Sequence, residues 1–263
     1  MLKVPALSIA FMAVSLTLAF LLPIALMILL RVKKKANFPP FFIGAAVMLV
    51  FALIIEALIH QVVFMTSFGK AIQANIYWYA LYGGLMAGLF EETGRYVAMK
   101  TLLKKYYSND ANALMYGAGH GGFECIALLG LTMVNNLIYS IMINTGSMSM
   151  ITASLPAEYL PQIESVLTQL TDSSPWIFLL GIVERIFAIA MHMGFSVIVW
   201  FGVKNRKFWL YPFAIFLHAS VDGLTVIASG LGLSNLMVEG IVGLLTVAVV
   251  LIAKLVAKGP VAK

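Results

Sequence analysis

Apolar residues run along this chain in long blocks, and the polar residues between them fall in short clusters. Seven blocks are long enough for a membrane helix, near residues 5–30, 40–65, 75–103, 111–143, 175–202, 208–230 and 233–256. A spanning helix needs about 20 mostly apolar residues, each rising about 1.5 Å. The pattern predicts an all-α polytopic transmembrane bundle of about seven spans. Asn37, Pro39 and Pro40 punctuate the first connection. Ser108, Asn109 and Asp110 break the third and can cap the helix that follows. The long connection near 144–174 contains Pro161, then Ile163, Val166, Leu167 and Leu170 at helical spacing. That predicts a short helix lying on the membrane surface. With no internal repeat or low-complexity segment, the chain reads as one integral membrane domain over 1–263.

Composition agrees. Hydrophobic residues make up 62% and charged residues 11%, with a mean hydropathy of +0.98. Soluble domains carry roughly 25% charged residues, and a soluble fold could not hide this much apolar surface. The net charge of +6 does not point to nucleic acid, because the basic residues sit at the ends of apolar blocks. They read as a topology signal. With the amino terminus outside and the carboxyl terminus inside, the inner side holds thirteen: Arg31, Lys33, Lys34, Lys35, Lys100, Lys104, Lys105, Lys204, Arg206, Lys207, Lys254, Lys258 and Lys263. Only Lys3 and Lys70 lie outside. The first block is followed, not preceded, by its positive cluster, so it reads as a membrane helix and not a signal peptide. The expected location is the plasma membrane of a bacterium. Cys125, the single cysteine, reads as a small core residue.

Several residues do not belong in lipid. An ionisable side chain at mid-membrane costs about 2.5–3.5 kcal/mol on insertion scales. The third block nevertheless carries Glu91, Glu92 and Arg95, and the fourth His120 and Glu124. The fifth carries Glu184, Arg185 and His192, and the sixth His218 and Asp222. Glu91 and Arg95, His120 and Glu124, and His218 and Asp222 are each four apart, so each pair shares a helix face. Depth adds a second constraint. Glu92, His120, His192 and His218 lie twelve, ten, twelve and eleven residues from Lys104, Asp110, Lys204 and Lys207. All four therefore sit roughly 15–18 Å from the inner ends of their helices. A Glu or His from each of four helices in one layer predicts a centre, opening toward the cytoplasm. Gly117, Gly119, Gly121 and Gly122 around His120 leave room for a second helix or a substrate strand. Glu184 and Arg185 can be a supporting ion pair. Glu56 and His60, also four apart, lie nearer the outer side, which assigns them a structural or access role.

Carboxylates, imidazoles and an arginine together suit hydrolysis. A Glu can take a proton from water, and imidazoles can stabilise an oxyanion or protonate a leaving amine. Histidines can also hold a metal, although no HExxH spacing is present. Peptide bonds within the membrane are the natural substrate of such a site. Two other functions use the same residues: a non-catalytic scaffold or immunity protein that binds hydrophobic peptides, and a proton-coupled transporter. The transporter would often show repeats or paired broken helices.

Glu91-Glu92-x-x-Arg95, a second motif ending in Glu124, a later histidine and His218-x-x-x-Asp222 form an ordered set. It resembles the superfamily of type II CAAX prenyl endopeptidases, bacteriocin-immunity-type membrane proteases and PrsW. The Gly-His-Gly-Gly-Phe-Glu run and the Glu184-Arg185…His192…Ser196 run look most like the YhfC family of intramembrane proteases. The resemblance covers about 75–230. It implies glutamate-dependent cleavage of hydrophobic or transmembrane peptides, with lipid as the other partner. Glu91 or Glu92 would be the base, with Arg95, His120, Glu124, His192, His218 and Asp222 around it. The mechanism is described in two forms, metal-free or using a divalent metal such as zinc. A metal would be held by His120, His192 and His218. Two residues, Thr93 and Gly94, separate the Glu pair from Arg95, where the prenyl endopeptidases have three. Asp222 stands where many relatives have Asn.

Overall fold

The structure is a computed structural model that describes residues 3–154 and 156–259. Lys263, counted above on the inner side, lies outside the described residues. The long helices are α1 (Ala6–Lys34), α2 (Pro39–Phe64), α4 (Ile76–Lys100) and α5 (Ala111–Thr145), then α8 (Ile177–Lys204), α9 (Leu210–Gly230) and α10 (Asn235–Lys258). The shorter ones are α3 (Ser67–Gln73), α6 (Met148–Ser154) and α7 (Leu160–Asp172). No strand occurs among the described residues. The protein is a polytopic helical bundle. Helix α7 is the short helix expected in the long connection, with proline in its first turn.

Six helices among the described residues, α1, α2, α5, α8, α9 and α10, are long and apolar enough to cross a membrane. Helix α4 has 25 residues, long enough to span, but it carries Glu91, Glu92, Arg95 and Lys100 and is less apolar than those six. The polar side chains that build the centre thus hide the helix that carries more of them than any other.

Local chemistry sets the helix boundaries. Asn75 Oδ1 accepts from the Tyr77 and Trp78 N–H groups at 3.0 and 3.2 Å and starts α4. Asn109 Oδ1 accepts from Ala111 N–H at 3.0 Å at the start of α5. Asp110 instead accepts from Trp200 Nε1 at 2.8 Å and Lys204 Nζ at 2.6 Å, tying the start of α5 to the end of α8. Gly146 ends α5 with φ of 78°, a left-handed conformation that favours glycine. Two stretches are wound as π-helix, Met48–Glu56 within α2 and Ile126–Gly130 within α5. Such widened turns often accompany functional side chains.

Contacts divide the chain into two compact units. One comprises residues 1–22 and 125–185, the other 23–124 and 186–263. In the first, Ser15 Oγ donates to the Phe178 carbonyl at 2.6 Å, and Asn144 bonds the Val4 backbone in both directions. The second holds the candidate site. Its apolar core includes Met99, Leu103, Ile198, Val199, Trp200 and Leu210, all closed off from solvent. Leu236, Leu244 and Leu255 of α10 are 74%, 74% and 70% exposed, a surface suited to hydrocarbon and not to water.

Candidate active site

Four helices of the second unit deliver the site. α4 contributes Glu91, Glu92 and Arg95, the first half of α5 His120 and Glu124, α8 His192, and α9 His218 and Asp222. Close approach of backbones makes this convergence possible. A Cβ on Gly117 would stand 2.5 Å from Met193 Cα, and one on Gly121 would stand 2.9 Å from Ile189 Cα. Only glycine lets α5 lie against α8 at His192. Gly119 meets the Phe41 backbone of α2, and Gly122 meets Pro23 of α1. The glycine-rich run is therefore filled by helices.

Two linked networks emerge. In the first, the wholly buried Arg95 donates from Nη1 to Glu92 Oε1, and His218 Nδ1 reaches the same oxygen at 2.9 Å. His218 Nε2 lies 3.5 Å from Asp222 Oδ2. In the second, His120 Nε2 meets Glu91 Oε2 at 2.8 Å, and His192 Nε2 meets Glu124 Oε2 at 2.6 Å. Arg95 Nη2 joins the two networks, 3.1 Å from His192 Nδ1. Arginine can only donate, so His192 Nδ1 accepts, and its Nε2 carries the proton donated to Glu124. Phe195 stacks on the His218 ring with centroids 4.8 Å apart and fixes its plane. The three imidazoles are neighbours, His120–His192 at 4.8 Å and His192–His218 at 5.5 Å between centroids.

The pairings differ from those that helical spacing alone proposes. Arg95 bonds Glu92, three residues away, while Glu91, four away, turns to His120 on another helix. Glu124 reaches across to His192, where spacing had paired it with His120. Glu184 and Arg185 bond each other and belong to the first unit. Tyr116 and Phe195, which spacing did not single out, also reach the site. Tyr116 lies one turn before His120, and Phe195 follows His192 by three residues, so periodicity placed both on the right faces.

One atom each of Glu91, His120 and His192 lie within 4.8 Å of one another, close enough to hold a metal ion. Glu91 takes the place that the resemblance assigned to His218, because His218 is engaged by Glu92. Two imidazoles and one carboxylate form a donor set that zinc accepts, with His192 offering Nδ1, the nitrogen that Arg95 Nη2 otherwise bonds. The Glu124 carboxylate behind His192 is the outer partner that metal-ligating histidines usually have. His120 Nδ1, Glu92 Oε2, Arg95 Nε and Tyr116 Oη are buried without a protein partner. These orphaned groups describe a polar interior with bonding capacity left for a bound species. The residues present therefore fit a metal.

Comparison with known proteins places the chain in a family. Residues 18–243 match the family described as YhfC intramembrane metalloprotease. A Bacillus subtilis (strain 168) protein, described as uncharacterized membrane protein YhfC, is 38% identical over 215 residues, covering 81% of each chain. No solved structure matches. The chain belongs to the YhfC intramembrane metalloprotease family.

Proposed function

We propose that the protein hydrolyses peptide bonds of hydrophobic or transmembrane peptides within the membrane, at the centre formed by Glu91, His120 and His192. The observation that carries this reading is the convergence of those three buried side chains beside orphaned polar atoms. Such an assembly is too costly in a membrane to persist as packing alone.

Glu91, His120 and His192 would hold a divalent metal such as zinc. When bound there, it would polarise the scissile carbonyl and acidify a water molecule. The chain's own residues divide the remaining work. Glu92 is committed to Arg95 and His218, so it serves as an anchor. Glu91 is the carboxylate free of arginine; its Oε2 faces His120 and His192 and would be the metal-side oxygen, while its Oε1 would accept the proton of the attacking water and pass it to the leaving amine. His218 Nδ1 donates to Glu92, so an Nε2–H exists only on the imidazolium. Held between Glu92 and Asp222, with a long 3.5 Å contact to the latter, that N–H would be available to the developing oxyanion. Glu124 holds His192 in one tautomer. On this reading Glu91 does the chemistry and Glu92 supports it.

The test is purified protein in lipid vesicles with a model transmembrane peptide, products read by mass spectrometry. Glu91→Gln should abolish cleavage, a loss of roughly 10²–10⁴-fold. A chelator should do the same if the metal form operates. Undiminished cleavage by Glu91→Gln refutes the assignment. A transporter or scaffold would release no new peptide termini from any substrate.

A further inference from the structure

A centre that hydrolyses peptides inside a membrane consumes one water per turnover, and that water needs a way in. Two ends of the second unit compete to supply it. The end where α4 and α8 finish is closed: Met99, Leu103, Ile198 and Trp200 are fully buried and Leu210 is 1% exposed. They form an apolar plug between the centre and that end.

The opposite direction is polar. Gly84 faces Ala219 and Gly223, and Gly88 faces Ile215 and Ala219, so α4 and α9 run antiparallel. Gly94 lies against Val47 and Phe51, while Tyr82 bonds His60, so α4 and α2 are antiparallel as well. Moving from Glu91 back toward the start of α4 therefore means moving forward along α2 and α9. Asp222 lies one turn beyond His218 in that direction, and its side chain keeps 37% of its surface open. Glu56, at the end of the π-helical stretch, is within electrostatic reach of Glu91, His218 and Asp222. One turn further, His60 Nε2 meets Glu56 Oε1 at 3.1 Å, and His60 Nδ1 meets Tyr82 Oη at 2.9 Å. The His60 side chain is 27% exposed, against 9% for Glu56. Phe64 stacks on His60 at 5.6 Å and supports the ring. Along α4, Tyr82 stands nine residues from Glu91, about 13 Å, which leaves roughly 9 Å to the helix start.

We propose that Asp222, Glu56, His60 and Tyr82 line the water inlet of the centre, which opens at the end of the bundle where α2 finishes and α4 begins. The inlet rests on the hydrolase reading, and it is the opposite end from the one the basic residues mark as cytoplasmic. Glu56, His60 and Tyr82 form a hydrogen-bonded trio on two helices, with exposure increasing outward from Glu56 to His60, and Asp222 adds a polar side chain from a third helix.

Cysteine accessibility tests it. In a Cys125→Ser background, single variants His60→Cys, Tyr82→Cys and Leu89→Cys are placed in lipid vesicles and treated with a sulfonate-bearing methanethiosulfonate. Leu89 is an apolar side chain, 46% exposed, on the same helix as Tyr82, and serves as the lipid-side control. Labelling at positions 60 and 82, with none at 89, supports the inlet. The attached sulfonate should then lower kcat and leave KM unchanged, which loss of a packing contact would not do on labelling alone. Two separate positions guard against one variant failing to fold. No labelling at either position, or equal labelling at 89, overturns the inlet. Labelling without any peptide cleavage by the unsubstituted protein defeats the hydrolase reading and leaves the aqueous path standing.

Discussion

Arg95→Met offers the most direct test of how the centre is held together. Arg95 and Glu92 are both wholly enclosed and bonded to each other. Removing the arginine strands the Glu92 carboxylate. Its Oε2 already lacks a partner, and only His218 would remain on Oε1. Breaking one side of a buried pair costs about 3–5 kcal/mol, mostly the penalty of the charge left behind. Removing both charges is much milder, since a buried pair offers little net stability over neutral groups. Glu92→Gln combined with Arg95→Met should therefore recover at least half of the loss, bringing the double variant to within about 2 kcal/mol of the parent. Titration with a denaturing detergent, followed by fluorescence of the four tryptophans, reads the stabilities. A loss below about 1 kcal/mol in Arg95→Met would refute the reasoning. So would a double variant whose loss is the sum of the two singles, because additivity would mean that the two groups do not share a bond.

Three further outcomes follow from the same geometry. Glu124→Gln should weaken zinc binding by ~10–100-fold, because it removes the carboxylate behind His192, with competition against a buffered chelator as the measurement. Equal affinity in the variant would show that His192 is not a ligand or needs no such partner. Gly117→Ala should push α8 away from α5 at His192. Activity should then fall by about 10²-fold, since a shift near 1 Å at reacting groups has that effect. Wild-type rates in that variant would show that the close approach is not needed. Gly240→Ala, at a helical position with nothing within 4 Å of an added Cβ, is the matched control and should change nothing in the same cleavage assay.

The membrane class, the helices and the layer of ionisable residues were all legible in the chain. Each depends on short-range order: a run of apolar residues, a residue count from a charged end, a spacing of three or four. Such quantities survive without knowledge of neighbours. Glu92, His120, His192 and His218 were placed at one depth by counting alone, and the structure brings them together. Helix α4, expected as a seventh span, was legible by length, yet its polar side chains lower its hydropathy below that of the six candidate spans.

What the chain could not disclose by itself was the choice of partner. Two glutamates compete for Arg95, and helical spacing favours both about equally, at three and four residues. The neighbouring helices decide, because His120 arrives on the side of Glu91 and His218 on the side of Glu92. Glu124 shares a face with His120 in sequence but bonds His192, since Gly117 and Gly121 bring α8 within reach. The same selection groups Glu91 with His120 and His192 closely enough to hold a metal ion. Sequence determined which groups are available and how deep they sit, because backbone periodicity is local. Tertiary structure alone decided which carboxylate bonds Arg95 and His218 and which bonds His120, because that depends on the approach of helices from distant parts of the chain.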